Sequence, residues 1–304
     1  MTVIVDHMTL LPDLIDRLAA NPGPALTYYG VSRMELGGPV VARWMAKIAN
    51  LLEDNLSPAL MGGEDTGSIV IDLGSTWQGV LWRISASLMG WRVCDPRQAA
   101  QALPQAQLSP VAPTVQLPTV KSAAPTQPTP RQFVSEPPAP PQSVLQEPAT
   151  SQSVSEPPTP PLPALQADVY VTNDAAAAEI YVTQGLATHI LMHNLSPMAF
   201  TWDGALPAWT VDALGELMAQ ADGLVVDTPY DPTPLELASR RYRVPTCERL
   251  ATHTRTPEQD AELTVACWTV GSSLVLIDPL RHPQAHQHAE IARVEGATLL
   301  SDFM

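Results

Sequence analysis

Proline is the feature that most constrains how this chain folds. Of the 32 prolines among 304 residues, 17 lie between Pro104 and Pro163. Proline fixes φ and donates no amide hydrogen, so a segment this rich in proline continues neither a helix nor a central strand. The residues from 102 to 166 are otherwise mostly Gln, Ser, Thr and Ala, with Phe133 as their one aromatic side chain. Such a segment buries too little apolar surface to offset the entropy of ordering, so the sequence predicts a disordered linker over 102–166 with stretches of polyproline II.

An octapeptide occurs twice inside this segment. Val134–Pro141 is VSEPPAPP and Val154–Pro161 is VSEPPTPP. Preformed polyproline II binds partners with little loss of entropy, so one hypothesis is a duplicated docking site for a proline-recognition domain. The other hypothesis, which we favour, is a low-complexity spacer.

The remaining composition restricts partners and location. The net charge is −15, and an acidic surface repels phosphate backbones and anionic lipid, so we expect neither nucleic acid nor a membrane as a partner. The longest uncharged apolar run, Leu263–Ile277, is shorter than the roughly 20 residues of a spanning helix. Cys94, Cys247 and Cys267 show no CxxC spacing and cannot all pair. Since the N-terminus does not resemble a secretory signal, these features predict a cytoplasmic protein.

Outside the linker, apolar segments of strand length alternate with segments of helical periodicity. Ile69–Leu73 is typical of a buried strand, Trp77–Leu88 of a helix, and Val169–Thr172 resumes the pattern after the linker. Continuous apolar strands separated by helices predict an α/β fold with a mostly parallel sheet covered by helices on both faces. Residues 1–101 and 167–304 are then two parts of the same α/β domain, interrupted by the long proline-rich insertion.

Several predicted strands end in a short polar residue. Asp72 and Asn173 follow buried strands, and Asp227 follows a strand predicted over Leu224–Val226. Ligands of open parallel sheets bind at the carboxyl ends of strands, so these three residues and Ser75 are the candidate ligand-binding residues. The alternative is that the acids and amide are ordinary helix caps. Acids at such an edge repel a free triphosphate, so a neutral or cationic ligand is expected.

Two further patterns have ordinary explanations. Ile71–Thr76, with the sequence IDLGST, resembles the phosphate-binding hairpin of the actin, Hsp70 and sugar-kinase superfamily. Apolar residues recur at helical spacing from Trp77 onward, which predicts a helix and makes Gly74 a strand-to-helix turn.

The histidines near the C-terminus suggest a metal cluster at first sight. His282, His286, His288 and Glu290 lie close in sequence. Pro283 is expected at the first helical position, which places His282 outside the helix, so a solvated helix start is favoured and no metal site is predicted. The chain contains no GxSxG, HExxH, GxGxxG or GxxxxGK[ST] pattern.

A set of ordered motifs resembles a known superfamily. LTYY at 26–29, a helix from Val40 ending ANLL, SIVI at 68–71 and MGWRV at 89–93 follow one another in the chain, and ADVYV begins at 167. They are similar to the "LTY", "NxLA", "GDxVAI" and "GA" segments that open the adenylate-forming (AMP-binding, acyl-CoA synthetase-like) enzymes. The chain resembles a truncated N-terminal domain of that superfamily, closest to an actinobacterial family of unknown function.

The resemblance implies a fold and raises a question of activity. Adenylation needs a [ST]-[SG]-G-[ST]-T-G-x-P-K loop around the pyrophosphate and a lysine from a C-terminal domain, and neither is found in the sequence. The expectation is therefore a non-catalytic domain, a pseudoenzyme that binds a small ligand or a protein, with no catalytic residue and no cofactor that the sequence requires. A weak or partner-dependent ATP-using acid ligase and an interaction scaffold acting through the linker are the alternatives.

Overall fold

Two five-stranded sheets and the helices that cover them form the described part of the chain. This computed structural model describes residues 11–58, 67–96, 166–225, 233–245 and 249–300. The predicted linker over 102–166 lies outside those ranges apart from residue 166, so its disorder stays a prediction.

Eight helices and ten strands lie within the described ranges. The helices are α1 (Leu11–Ala20), α2 (Gly38–Asp54), α3 (Trp77–Leu88), α4 (Ala175–Gln184), α5 (Ala213–Ala219), α6 (Pro234–Ser239), α7 (Pro257–Thr269) and α8 (Ala285–Val294). The strands are β1 (Pro24–Tyr29), β2 (Arg33–Gly37), β3 (Ser68–Asp72), β4 (Arg92–Cys94), β5 (Ala167–Thr172), β6 (Ala187–Met192), β7 (Val211–Asp212), β8 (Arg249–His253), β9 (Ser273–Ile277) and β10 (Thr298–Leu299).

Most neighbouring strands are parallel. Sheet 1 has the order β10-β8-β9-β1-β2, in which β1 and β2 form an antiparallel hairpin and the other pairs are parallel. Sheet 2 has the order β4-β3-β5-β6-β7 and is parallel throughout. The predicted α/β fold with mostly parallel strands is confirmed, and the strands are divided between two sheets.

Strand pairing joins the two parts of the chain that flank residues 97–165. β3 pairs with β5, with Asp72 opposite Thr172, and β4 flanks β3 on its other side. Sheet 2 therefore takes strands from both parts of the chain.

Three hydrophobic clusters give the fold its layers. The largest lies between the sheets, where α3 contacts strands of both, α2 packs on β1 and β2, and α7 packs on β9, with Trp82 fully buried. α4 covers the outer face of sheet 2, where the rings of Tyr170 and Tyr181 stack with centroids 3.6 Å apart. α8 covers the outer face of sheet 1 through Ile291 and its neighbours. Both faces of each sheet are covered, which explains the continuous apolar strands in the sequence.

The turn from β3 into α3 has the predicted strand-to-helix form. Gly74 has a φ of +60°, a conformation that favours glycine. Thr76 caps α3, its hydroxyl accepting a hydrogen bond from the amide of Gly79 at 3.1 Å. A helix therefore follows the IDLGST segment in place of the second strand of a kinase-type hairpin.

The strand predicted over Leu224–Val226 is wrong at Leu224 and Val225, and Val226 lies outside the described residues. Asn50, near the end of α2, explains why. Its Oδ1 accepts a hydrogen bond from the amide of Val225 at 3.1 Å, and its Nδ2 donates to the carbonyl of Gly223 at 2.9 Å. A helix side chain thus holds backbone groups that a strand would present to a neighbouring strand, and Val225 is 68% exposed.

Candidate ligand-binding crevice

Two adjoining cavities lie at the carboxyl ends of strands from both sheets. Cavity 1 has a volume of about 520 Å³ and cavity 2 of about 580 Å³. Both are lined by Tyr28 from β1, Asp278 following β9 and Thr76 at the start of α3. We call the two cavities together the strand-end crevice. The carboxyl edge of a parallel sheet is where α/β proteins bind ligands.

The structure brings two predicted residues to one edge of sheet 2. Asp72 and Asn173 end or follow the adjacent strands β3 and β5, and they line cavity 2 and cavity 1 respectively. Asp72 Oδ2 accepts a hydrogen bond from the hydroxyl of Tyr170 at 2.9 Å. Ser75 lines cavity 2 and donates to the carbonyl of Arg255 at 3.3 Å. Asp227 lies outside the described residues, so ligand binding by the four stays a prediction.

Carboxylates outnumber cations around cavity 2. The charged side chains in its wall are Asp72, Asp95, Glu258 and Asp278 against Arg83 and Arg255. A nearby buried acid, Asp260, accepts the amide of Arg255 at 3.0 Å, and burial raises its pKa to about 6. An anionic ligand would enter this cavity against net negative charge.

Arg83 is the buried cation of cavity 2. The residue is 4% exposed, its Nη1 lies 2.9 Å from Oε1 of Glu258, and its Nη2 donates to the carbonyl of Ile71 at 3.3 Å. Its Nε meets no acceptor within the described residues. Burial lowers the pKa of the guanidinium, and the charges of Glu258, Asp95 and Asp72 oppose that shift. Part of the acidity around cavity 2 therefore serves to offset the desolvation of Arg83.

Three aromatic residues contribute to the wall of cavity 1. Tyr28, Trp77 and Trp202 line it together with the carboxylates of Asp203 and Asp278. Burial raises the pKa of Tyr28 to about 12, and the nearby carboxylate of Asp278 adds to the shift, so the phenol is neutral at physiological pH.

His193 lines cavity 1 as a neutral ring. It is 1% exposed, and burial lowers its pKa to about 4. Its Nδ1 lies 3.1 Å from the carbonyl oxygen of Asn194. A carbonyl only accepts, so Nδ1 carries the proton and Nε2 is left as an acceptor. His193 directly follows β6, so it stands at the carboxyl end of a buried strand.

An apolar pocket of about 500 Å³ adjoins cavity 1. The two share Met34, Trp77, Gln78, His193, Asn194 and Ser196. Trp44 meets Trp77 edge to face in this pocket, with ring centroids 5.6 Å apart, and Met198 and Phe200 lie at its exposed side. The sequence did not predict this pocket. Trp44 in α2 and Trp77 in α3 each recur with apolar neighbours at helical spacing, a pattern that indicates only the buried face of a helix.

The described residues contain no group of three or more His, Cys, Asp or Glu that could hold a metal ion. α8 begins at Ala285 with Gln284 as its cap, so His282 lies outside the helix as predicted. Pro283 precedes the cap, so its predicted place in the first helical position is wrong. His288 Nε2 lies 2.6 Å from the carbonyl of His282, which ties the helix to the preceding turn.

Comparison with solved structures identifies the class of fold. The chain is similar to the acyl-CoA synthetase of Brucella canis (14% identity, TM-score 0.54, 94% of this chain and 46% of that one). It is also similar to a luciferase-like enzyme from the nonluminescent mealworm Zophobas morio (10%, 0.52, 94% and 57%) and to fatty acyl-adenylate ligases from E. coli and L. pneumophila (9%, 0.51, 96% and 45%). At these identities the likeness shows the fold alone.

The fold is thus that of the adenylate-forming enzymes, and the chain spans about half the length of these relatives. No protein-family model matches the sequence, and neither does any curated protein. Among the described residues, no helix is long and apolar enough to cross a membrane.

Proposed function

We propose that this chain is a non-catalytic small-ligand-binding module built on the adenylate-forming fold, with its ligand in the strand-end crevice. One observation carries the proposal: the carboxyl ends of strands from both sheets and the first residues of α3 surround two adjoining cavities of about 520 and 580 Å³. Asp72, Ser75 and Asn173 stand in their walls. Asp227 belongs to the proposed set from its sequence position.

The charge of the crevice favours binding over ATP chemistry. A triphosphate in cavity 2 would face four carboxylates, those of Asp72, Asp95, Glu258 and Asp278, against two cations, Arg255 and the buried Arg83, which is already paired with Glu258. Phosphoryl and adenylyl chemistry depends on preorganised donors and cations aimed at the developing charge. A neutral or cationic ligand meets no such obstacle.

A fragment screen tests ligand binding. Ligand-observed NMR with a panel of neutral, cationic and anionic small molecules should yield crevice binders, and Asp72→Asn should weaken them by roughly tenfold if they contact the carboxylate. The amide oxygen of Asn still accepts the Tyr170 hydroxyl, so the fold is retained. Glu53→Gln, an exposed change in the last turn of α2, is the matched control. Equal binding by Asp72→Asn and the control would return Asp72 to a structural role.

The second candidate is a partner-dependent ATP-using acid ligase, which the likeness to acyl-CoA synthetases favours. Pyrophosphate exchange with ATP over a panel of carboxylic acids separates the two. We expect no exchange by the purified chain, and robust exchange would refute the non-catalytic assignment.

Domain organisation and location complete the proposal. We assign residues 1–101 and 167–304 to one domain, with 102–166 as a disordered linker, and the pairing of β3 with β5 supports this assignment. A scaffold role of the linker repeats and kinship to an actinobacterial family of unknown function are further hypotheses. The net charge of −15 and the buried cysteines Cys94 and Cys267 support a cytoplasmic location without a nucleic-acid partner.

A further inference from the structure

Cavity 1 combines the two features that attract an organic cation. Three aromatic side chains, those of Tyr28, Trp77 and Trp202, share its wall. The face of an aromatic ring is electrically negative and binds ammonium groups, most strongly where water is excluded. Asp203 and Asp278 add two carboxylates to the same wall.

The other polar groups of cavity 1 do not cancel this preference. His193 is buried and neutral, so it adds no positive charge. Arg281 is the cation in the wall, and its charge acts on Tyr28 in opposition to that of Asp278, so two carboxylates and one guanidinium leave the wall net negative. This balance favours a cation in the cavity.

The apolar pocket offers room for a tail attached to that cation. It opens from cavity 1 past Trp77 and His193, and Trp44, Met198 and Phe200 line its further part. Met198 is 73% and Phe200 61% exposed, so an apolar group there would remove large hydrophobic surface from water.

Charged side chains at the edge of the apolar pocket restrict the charge that the tail can carry. Arg43 and Lys47 lie there with Asp222, at 3.2 Å and 3.0 Å respectively from its carboxylate oxygens. Lys47 also donates to the carbonyl of Gln220. Two cations against one carboxylate disfavour a second positive charge on the ligand, so a diamine fits less well than a monoamine.

From this arrangement we infer that the ligand of the crevice is an organic monocation with a short apolar tail: its ammonium group lies among Tyr28, Trp77 and Trp202, and its tail enters the apolar pocket. The inference rests on the proposed function and names the ligand class for cavity 1. It differs from an acyl or nucleotide ligand in the sign of its charge.

Matched probes test the charge. Choline and its neutral isostere 3,3-dimethylbutan-1-ol differ in one atom, nitrogen against carbon, and isothermal titration calorimetry measures both. We expect choline to bind at least tenfold more tightly. In the series ethyl-, butyl- and hexyltrimethylammonium, each buried methylene should tighten the dissociation constant about three- to fourfold.

Single substitutions test whether choline binds in cavity 1. Trp202→Leu should weaken choline binding severalfold and weaken the neutral isostere less, because only choline loses the cation–π interaction. Trp209→Leu is the matched control, because Trp209 is 87% exposed and lines none of the three cavities. Asp203→Asn, an exposed change that spares the core, should also weaken choline but not the isostere.

The possible outcomes separate the inference from the proposed function. Equal or tighter binding of the neutral isostere, or choline binding that Trp202→Leu and Asp203→Asn leave unchanged, overturns the ligand class while crevice binding stands. Binding of butanoate but not of butyltrimethylammonium does the same. If no cationic, neutral or anionic probe binds at millimolar concentration, the proposed function itself fails.

Discussion

Removing the partner of the buried cation Arg83 should cost more stability than removing the cation. In Glu258→Gln the guanidinium of Arg83, whose side chain is 5% exposed, loses its carboxylate 2.9 Å away and keeps the carbonyl of Ile71 at 3.3 Å. Breaking a fully buried ion pair from one side costs about 3–5 kcal/mol. The Glu258 side chain is 49% exposed, so solvent screens the pair and we expect about 1–2 kcal/mol.

Arg83→Met keeps the length of the side chain, removes the desolvated charge and loses two polar contacts. Replacing buried charges by apolar groups is often close to neutral, so we expect it to cost less than Glu258→Gln. Urea unfolding of both single variants and the double variant measures the difference, and the double variant should resemble Arg83→Met. Glu290→Gln breaks an exposed pair with Arg293 and should leave the midpoint unchanged. The reasoning fails if Glu258→Gln is silent or if Arg83→Met is the more damaging change.

Three further predictions address stability. Gly79→Ala places a Cβ 2.5 Å from the carbonyl oxygen of Gly74, a backbone atom, so the free energy of unfolding should fall by about 2 kcal/mol or more. Gly223→Ala is the control, because its Cβ meets nothing within 4 Å. Burial raises the pKa of Asp260 from 3.8 to about 6, so the folded state holds this proton more tightly than the unfolded chain, and stability falls as the pH rises from about 4 to 6. Asp260→Asn carries no such proton, so urea titrations should show it gaining about 2–3 kcal/mol relative to the parent over that range. Replacing residues 102–166 by a short Gly/Ser loop should shift the melting temperature little, because closure entropy grows slowly with loop length; a large loss would contradict the spacer hypothesis.

Much of the fold could be predicted because buried parallel strands have a strong local signal. Ile69–Leu73 and Trp77–Leu88 lie within a residue of β3 and α3. The sequence pattern did not predict β2, in which Arg33 and Glu35 interrupt the apolar residues, or β8, which has Arg249 and His253 at its two ends. Their charges make sense only in three dimensions, where Arg249 Nη2 lies 2.9 Å from a carboxylate oxygen of Glu35.

The candidate site was predictable only in part, for a different physical reason. Asp72 and Asn173 lie where strand ends place them, and the rule that parallel strands end at one edge needs only local pattern. Trp202 and Asp203 reach cavity 1 from the long connection between β6 and β7, which has no periodicity to indicate its path. Contacts of that kind depend on tertiary packing, and one sequence does not encode them in a recognisable motif.

The position of the crevice follows from the direction of the strands, and its chemistry comes from side chains at strand and helix ends together with side chains of the connecting loops. Cavity 1 takes Tyr28 and Asp278 from sheet 1 and Asn173 and His193 from sheet 2, because strands of both sheets end toward the same opening. The buried helix α3 packs against strands of both sheets, whereas Trp202, Asp203 and Asp278 reach the wall from connections that follow strands. A shared fold leaves the identity of a ligand open. The aromatic rings and carboxylates in the wall are what favour an organic cation.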